Sequence, residues 1–248
     1  MAMRVNVVNE DPSVYGRRLG LIYDAVALVW AARTGQTSPT IIAGLTNKHV
    51  PTRLVKEKLL QSEAVQNPQS PAQFKLGLTK KGFVRAVELL ARIRKDLNLR
   101  AMAEKMGFAL ILLDKFMPKM RIGGANKWRF AHDIKLQMCM AAYIRHQQLM
   151  LIMPRSAAGN PIVATEMRTS VELDRITVKT GEEKIADWTY SGRAPGEFGK
   201  ARLYLELENS KQSTADYARR VYFYNTRLHK GEGALQNYFY RYDICTGS

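Results

Sequence analysis

Three carboxylate side chains in the last quarter of the chain have the types and spacing of a divalent-metal site. In the predicted strand Arg202–Glu208, the two-residue period of a β-strand puts Glu206 and Glu208 on one face and three leucines on the other. Asp187 lies on an earlier predicted strand, and the Gly/Pro-rich loop 191–199 connects the two strands. Adjacent pairing of these strands would bring Asp187 beside Glu206.

Three converging carboxylates favour a hard cation, because their oxygens suit Mg²⁺ or Mn²⁺ and repel one another without it. A cation held there could polarise a scissile phosphate and stabilise the leaving oxygen. Lys211, three residues after Glu208, could stabilise the charged transition state. The alternative is that Glu206 and Glu208 form only the solvent-facing side of an antiparallel strand, where Glu-x-Glu is common.

Two other acidic positions have the same pair of interpretations. His132-Asp133 begins an apolar predicted helix over residues 131–151. Asp133 could serve only the helix dipole there, or the pair could assist the acidic cluster. Glu166 in a predicted strand could also join the cluster or be an ordinary polar residue. The sequence has no phosphate-binding loop, hydrolase elbow or clustered-histidine metal motif.

The charge of the chain is concentrated in its first three-fifths. The 248 residues carry 38 Lys+Arg against 22 Asp+Glu, a formal charge of +16. Residues 1–150 hold 24 basic against 10 acidic residues, or +14. Such an asymmetry is typical of a protein that binds a polyanion. Nucleic acid is therefore the favoured partner, over a membrane surface and over a ribosome-associated or merely soluble basic role.

Composition excludes several other classes. A hydrophobic share of 46% with 24% charged residues is inconsistent with wholesale disorder. No segment approaches the roughly 20 apolar residues of a membrane span, and the opening residues do not resemble a signal peptide. Cys139 and Cys245 form no CxxC pair, which disfavours a disulfide scaffold and a cysteine-rich zinc site. We expect a cytoplasmic protein without membrane insertion.

The elements expected to bind DNA precede Asp187, Glu206 and Glu208 in the sequence. Helices are predicted over 14–33, 40–45 and 51–62, followed by a strand over 74–78 and a helix that ends near residue 93. This order, with a strand pair, is typical of a winged helix, whose third helix enters the major groove. The alternative is a winged helix used only for protein contacts. The basic residues expected to face the duplex are Arg17, Arg18, Arg53, Lys56, Lys58, Lys75, Lys80 and Lys81.

After Pro154 the pattern changes to short strands, predicted over 162–166, 176–178, 184–190 and 201–209. The predicted architecture is an N-terminal winged helix over residues 1–95 followed by an α+β or α/β domain over 96–248.

Taken together, these motifs resemble a known family. The chain resembles the replication-relaxation proteins and, more closely, the MOBC class of plasmid relaxases. The resemblance rests on the predicted N-terminal winged helix, the pair His132-Asp133, the E-x-R segment 166–168, Asp187 on a strand and the E-x-[DE] segment 206–208. The resemblance implies a bacterial protein whose second domain has the restriction-endonuclease-like PD-(D/E)xK fold. It also implies metal-dependent nicking of one strand at a plasmid origin of transfer.

The resemblance also implies roles for individual residues. Asp187 matches the metal-binding aspartate and Glu206 the second acidic ligand. Glu208 stands where the family pattern usually has lysine, so either Lys211 substitutes or Glu208 itself acts, while His132 assists. The attacking group is either water or a tyrosine, for which Tyr15 is the first choice and Tyr23 and Tyr204 are the others. A coupling protein and a type IV secretion system are the implied partners besides plasmid DNA.

The leading hypothesis is therefore a Mg²⁺- or Mn²⁺-dependent relaxase that nicks DNA at a specific site on one strand. The rival is a non-catalytic plasmid replication or copy-control protein with a degenerate nuclease fold. A type II restriction enzyme, which cuts both strands, is a third interpretation, weakly disfavoured by the missing ExK lysine.

Overall fold

The protein has a mixed α and β fold, as the sequence predicts at that coarse level. The computed structural model describes residues 11–66, 72–115, 130–147, 149–153, 155–169, 172, 176–177, 183–184, 188–198, 200–205, 215 and 218. Within these ranges, helices and small antiparallel sheets alternate along the chain. No helix of the described part is long and apolar enough to cross a bilayer.

The N-terminal elements are three helices, a small sheet and a fourth helix. They are α1 (Pro12–Thr34), β1 (Gln36–Thr37), α2 (Pro39–Leu45), α3 (Val50–Lys56), β2 (Leu60–Ala64), β3 (Phe74–Leu78) and α4 (Lys80–Lys95). The strands pair antiparallel in the order β1-β3-β2. Along the chain, α2 and α3 therefore come after one edge strand of this sheet, β1, and before the other, β2. Residue 60 faces residue 78, and residue 64 faces residue 74.

Local signals fix the junction between α1 and α2, as predicted. Gly35 ends α1 with a φ of 74°, in the left-handed region that favours glycine, and its N–H donates to the Ala31 carbonyl at 3.0 Å. Ser38 then caps α2, where its Oγ accepts from the backbone N–H of Ile41 at 3.2 Å. Pro39 in the first turn suits the helix start.

Helix α1 is buried on every side along its second half, which the sequence pattern does not predict. We expected one apolar face that includes Leu19, Tyr23 and Trp30. Residues 25–31 are instead all fully buried, whereas Leu19 and Tyr23 are only partly so. The reason is that α1 packs against α2, α3 and α4, against helices further along the chain, and against β1 and β3.

The predicted third helix over residues 51–62 is too long. Helix α3 ends at Lys56, because Lys58 takes a φ of 59° and starts a Schellman motif. The N–H of Leu59 donates to the Leu54 carbonyl at 2.9 Å, and that of Lys58 donates to the Val55 carbonyl at 3.0 Å. Leu60 then enters β2 and pairs with β3.

The start of α4 is packed directly on Leu59, between α3 and β2. A Cβ at Gly82 would lie 1.9 Å from the Leu59 carbonyl oxygen. We therefore expect Gly82→Ala to lower the free energy of unfolding by about 1–3 kcal/mol, the usual cost of forcing a methyl group into a packed site. Urea unfolding measures this change.

Gly44→Ala is the matched control, because Gly44 is an exposed helical glycine with open space around its Cα. It should stabilise the protein by about 0.4–1 kcal/mol. Equal effects of the two substitutions would contradict the close approach of α4 to Leu59.

The second part of the chain contains shorter elements. They are α5 (Leu97–Lys105), α6 (Ala109–Leu112), α7 (Phe130–Arg145), α8 (Leu149–Ile152), β4 (Val163–Thr169), β5 (Ile176–Thr177), β6 (Glu183–Lys184), β7 (Trp188–Arg193) and β8 (Lys200–Leu205). The single helix predicted over residues 131–151 is wrong, because α7 ends at Arg145 and Gln147 takes a left-handed φ of 54°. Strand β4 extends beyond its predicted end to Thr169.

Strands β4, β7 and β8 form an antiparallel sheet with β7 in the centre. Both faces of β7 are buried, with Trp188 and Tyr190 on one and Thr189 and Ser191 on the other. The predicted pairing of the strands that flank the Gly/Pro-rich loop is confirmed in the described part, although β7 continues to Arg193 and shortens that loop. Leu203 of β8 is buried, as its predicted leucine face requires.

Residues on both sides of position 95 contribute to one hydrophobic cluster. Ile22, Trp30 and Leu90 belong to it together with Phe108 and Trp188. The boundary between domains 1–95 and 96–248 stays a prediction, but α1 packs against elements of both parts. The N-terminal elements are therefore connected to the β4-β7-β8 sheet through α1.

Candidate functional site

Asp187, Glu206, Glu208 and Lys211, the predicted metal and catalytic residues, lie outside the described residues. The structure does describe β7, which follows Asp187 in the chain, and β8, which precedes Glu206. Trp188 faces Leu205 across the β7-β8 ladder, and the pairing continues to Arg193 opposite Lys200. In the described ranges, no group of three or more His, Cys, Asp or Glu side chains is arranged to hold a metal ion.

The Trp188 end of the hairpin is fixed against the central helix. The ring of Trp188 packs on that of Trp30 with centroids 5.6 Å apart and a tilt of 35°. Trp30 Nε1 donates to Gln137 Oε1 of α7 at 3.1 Å, and Gln137 Nε2 donates to the Gln36 carbonyl at 2.7 Å. Tyr190, in the same strand, donates from its hydroxyl to Met140 Sδ at 3.4 Å. Side chains of α1 and α7 thus contact this end of β7.

His132 lies near the beginning of α7. Its Nδ1 is 3.3 Å from Asp133 Oδ1, and both side chains are about one-fifth exposed, at 23% and 22%. His132 is about 7.5 Å of helix rise from Gln137. The pair therefore lies on the helix that supports Trp30 and Trp188, and its predicted assisting role stays a prediction.

Tyr15, the predicted nucleophile, is half exposed at 49% and is the fourth residue of α1. Fifteen residues of helix, about 22 Å of rise, separate it from Trp30, which contacts Trp188. This placement gives no support to Tyr15 as the attacking group of a site next to Trp188.

A buried side chain with several charged and carbonyl partners is one that the sequence did not single out. Arg33, at the C-terminal end of α1, is completely buried. Its Nη1 lies 2.9 Å from Asp114 Oδ2, and its Nε donates to Glu172 Oε1 at 2.9 Å. It also donates to the Leu110 carbonyl at 2.9 Å and to the Met167 carbonyl. An arginine that interrupts the apolar run of α1 is the signal that could have found it.

The same cluster holds the end of β4. Arg168 of the E-x-R segment donates to Asp114 Oδ2 at 3.3 Å, and the Thr169 hydroxyl donates to the Arg33 carbonyl at 2.7 Å. Burial raises the pKa of Glu172, while the nearby Arg33 charge opposes that shift. Arg168 therefore has a structural partner in Asp114, and the group formed by Arg33, Asp114, Arg168 and Glu172 ties α1 to the β4-β7-β8 sheet. We call it the Arg33 cluster.

The predicted DNA-facing residues on α3 and just after it differ in their surroundings. Lys56 and Lys58 are exposed. Arg53 instead donates from Nη2 to Asp24 Oδ1 of α1 and from Nη1 to Glu57 Oε1 at 3.1 Å. Burial raises the pKa of Asp24, and the hydrogen bond from Arg53 opposes that shift.

The remaining predicted DNA contacts are spread over three elements. Lys75 Nζ lies 2.9 Å from Glu63 Oε2 on the neighbouring strand, and Lys81 Nζ donates to the Glu57 carbonyl at 3.1 Å. Lys80 and Arg17 are exposed, and Arg17 Nε donates to the Ser13 carbonyl at 3.3 Å. Arg18 is partly buried. Whether any of them contacts DNA stays a prediction.

No protein-family model, no curated protein and no solved structure matches this chain. Its function is therefore inferred from its own residues and their arrangement.

Proposed function

We propose that this protein binds duplex DNA through its N-terminal elements and nicks one strand in a Mg²⁺- or Mn²⁺-dependent reaction, as a relaxase of the MOBC class does at a plasmid origin of transfer. The observation that carries the proposal is the order of elements along the chain, in which α2 and α3 follow β1 and precede β2 of the same β1-β3-β2 sheet. That order of helices and strands supports the proposed winged helix, whose third helix would enter the major groove.

The surface of α3 supports DNA binding. Val50 and Leu54 are buried and fix the helix to the core, while Thr52 and Lys56 are exposed. A short helix that exposes a hydroxyl and an ammonium group can contact base edges and phosphate. The +14 charge of residues 1–150 supplies the sequence-independent attraction.

Lys56→Ala tests this surface through salt dependence. Each phosphate contact releases counterions, so losing one should reduce the slope of log K against log salt by about 1. Fluorescence anisotropy with a labelled duplex at several salt concentrations measures the slope. Lys105→Ala, an exposed lysine of α5, is the control and should leave the slope unchanged. An unchanged slope in Lys56→Ala would remove α3 from the interface.

The β7-β8 hairpin supports nicking. Trp188 and Leu205 face each other in the ladder. In the sequence, Asp187 directly precedes Trp188, and Glu206 directly follows Leu205. The proposal therefore rests on two carboxylates that directly precede β7 and directly follow β8 in the sequence. A donor set of carboxylate oxygens suits a hard cation, which would polarise the scissile phosphate.

We further propose that residues 96–248 have a restriction-endonuclease-like fold and residues 1–95 a winged-helix fold. The support for the former is an antiparallel sheet whose central strand is buried on both faces and backed by α1 and α7. Glu208, Lys211 and His132 would complete the site. Plasmid DNA, a coupling protein and a type IV secretion system are the proposed partners, in the bacterial cytoplasm.

Plasmid topology tests the proposal against its rivals. Supercoiled plasmid that carries the gene for this protein and its flanking DNA is incubated with the protein and Mg²⁺ or Mn²⁺. Relaxed circles that require the metal are the expected product. Linear product would favour a restriction enzyme. Bound but unchanged plasmid would favour the non-catalytic replication or copy-control protein.

A further inference from the structure

The side chains around Arg53 make an unusual set for a DNA contact. Arg53 extends from α3 toward α1 and engages Asp24, whose side chain is only 16% exposed, as well as Glu57 one turn further along α3. Two carboxylates around one guanidinium give this trio a formal charge of −1. A phosphate group is therefore not attracted to the trio, although Arg53 itself is basic.

Two more hydrogen bonds hold the same end of α3. The Lys81 ammonium donates to the Glu57 carbonyl at 3.1 Å, and the Thr79 hydroxyl donates to the Lys58 carbonyl at 2.8 Å. Glu57 and Lys58 directly follow α3, where helix ends leave carbonyls without an internal partner. Arg53 thus ties α3 to α1, and Lys81 and Thr79 tie the two residues after α3 to the start of α4.

We infer that Arg53 is a positioning residue, which orients α3 on α1 through Asp24, and that the exposed Thr52 and Lys56 are the residues of α3 that contact the duplex. The inference rests on the proposed function, that α3 binds duplex DNA. Thr52 and Lys56 are one helical turn apart and therefore share a face of α3. Arg53 lies about 100° around the helix from Thr52, on the side that meets Asp24.

The two possible roles of Arg53 predict opposite effects of Asp24→Asn. If Arg53 contacts phosphate, loss of the nearby negative charge frees its guanidinium and strengthens binding. If Arg53 positions α3, the weakened tether lets the helix shift and specific binding falls. We expect about a 10-fold loss of affinity for the preferred duplex, the equivalent of one weakened charge-assisted hydrogen bond, with an unchanged salt slope.

Arg53→Lys provides a second, independent variant. Lysine keeps the positive charge but lacks the planar fork that engages Asp24 and Glu57 together. A positioning role therefore predicts that Arg53→Lys loses specific affinity as Asp24→Asn does. A phosphate-contact role predicts near wild-type binding, because lysine also pairs with phosphate. Glu104→Gln removes an equal charge from the exposed Arg100–Glu104 pair of α5 and is the control for net charge.

The experiment measures binding of the full chain to a duplex that wild-type protein selects from a random library, and to a scrambled duplex. Thermal unfolding checks each variant, and amide hydrogen exchange without DNA reports on α3 directly. We expect Asp24→Asn and Arg53→Lys to lower the preference for the selected duplex and to speed exchange in residues 50–56. Tighter binding by Asp24→Asn, or wild-type binding and exchange in Arg53→Lys, would overturn the inference. Failure of wild-type protein to bind any duplex would instead overturn the proposed function.

Discussion

Arg33→Met is expected to lower the free energy of unfolding by about 3–5 kcal/mol, the usual cost of removing one partner from a buried ion pair. Asp114 has no exposed side-chain surface and Glu172 only 6%. Glu172 would therefore keep a buried charge without the Arg33 guanidinium, and Asp114 would lose the closer of its partners Arg33 and Arg168. The substitution also removes the donors to the Leu110 and Met167 carbonyls. Urea unfolding followed by circular dichroism measures the loss.

A matched control separates this effect from loss of an arginine in general. Arg100→Met breaks only the exposed pair with Glu104 on α5 and should cost no more than about 0.5 kcal/mol. Adding Asp114→Asn and Glu172→Gln to Arg33→Met should restore part of the stability, because the uncompensated charges disappear. A cost for Arg33→Met similar to that of the control would show that the Arg33 cluster contributes little.

Asp187→Ala is expected to lower the nicking rate by on the order of 10³-fold. A metal ion bound to the phosphate would contribute several kcal/mol to transition-state stabilisation, and the substitution removes one of its proposed ligands. Duplex affinity should stay near that of the wild-type protein, because the residues of α3 are unchanged. Single-turnover nicking of supercoiled plasmid and anisotropy with a duplex give the two quantities.

Glu197→Gln is the control carboxylate of the same hairpin. Glu197 Oε1 accepts hydrogen bonds from Ser156 Oγ at 2.7 Å and from Asn160 Nδ2 at 2.6 Å, which a glutamine oxygen can also accept. This variant should nick as the wild-type protein does. Full nicking by Asp187→Ala would remove Asp187 from the site, whatever the DNA affinity.

Elements that depend on local signals were predictable from the sequence. Gly35 and Ser38 mark the end of α1 and the start of α2, because a left-handed glycine and a capping hydroxyl act on their own neighbours. The end of α3 was missed, because Lys58 carries no sequence signal for its left-handed φ. Residues 59 and 60 continue an apolar helical pattern until pairing with β3 recruits Leu60 into a strand.

The candidate site also has features that the sequence predicts and features that it does not. The pairing of the strands around the Gly/Pro-rich loop followed from their alternating pattern, and the register of β7 and β8 agrees with it in the described part. The partners of Arg33 and the Asp24 partner of Arg53 could not be predicted, because tertiary packing brings them together. Asp24 is 29 residues from Arg53, and Glu172 is 139 residues from Arg33. Burial decides which arginines are structural, and charge alone does not reveal it.

The most direct test of metal-dependent nicking by this chain is strand-resolved mapping of plasmid ends after incubation with Mn²⁺, by primer extension on each strand. The account predicts one interruption, on one strand and at one position, that disappears with a chelator and in the Asp187→Ala and Glu206→Ala proteins. Uninterrupted strands under every metal condition, or breaks that persist in both variants, would contradict it.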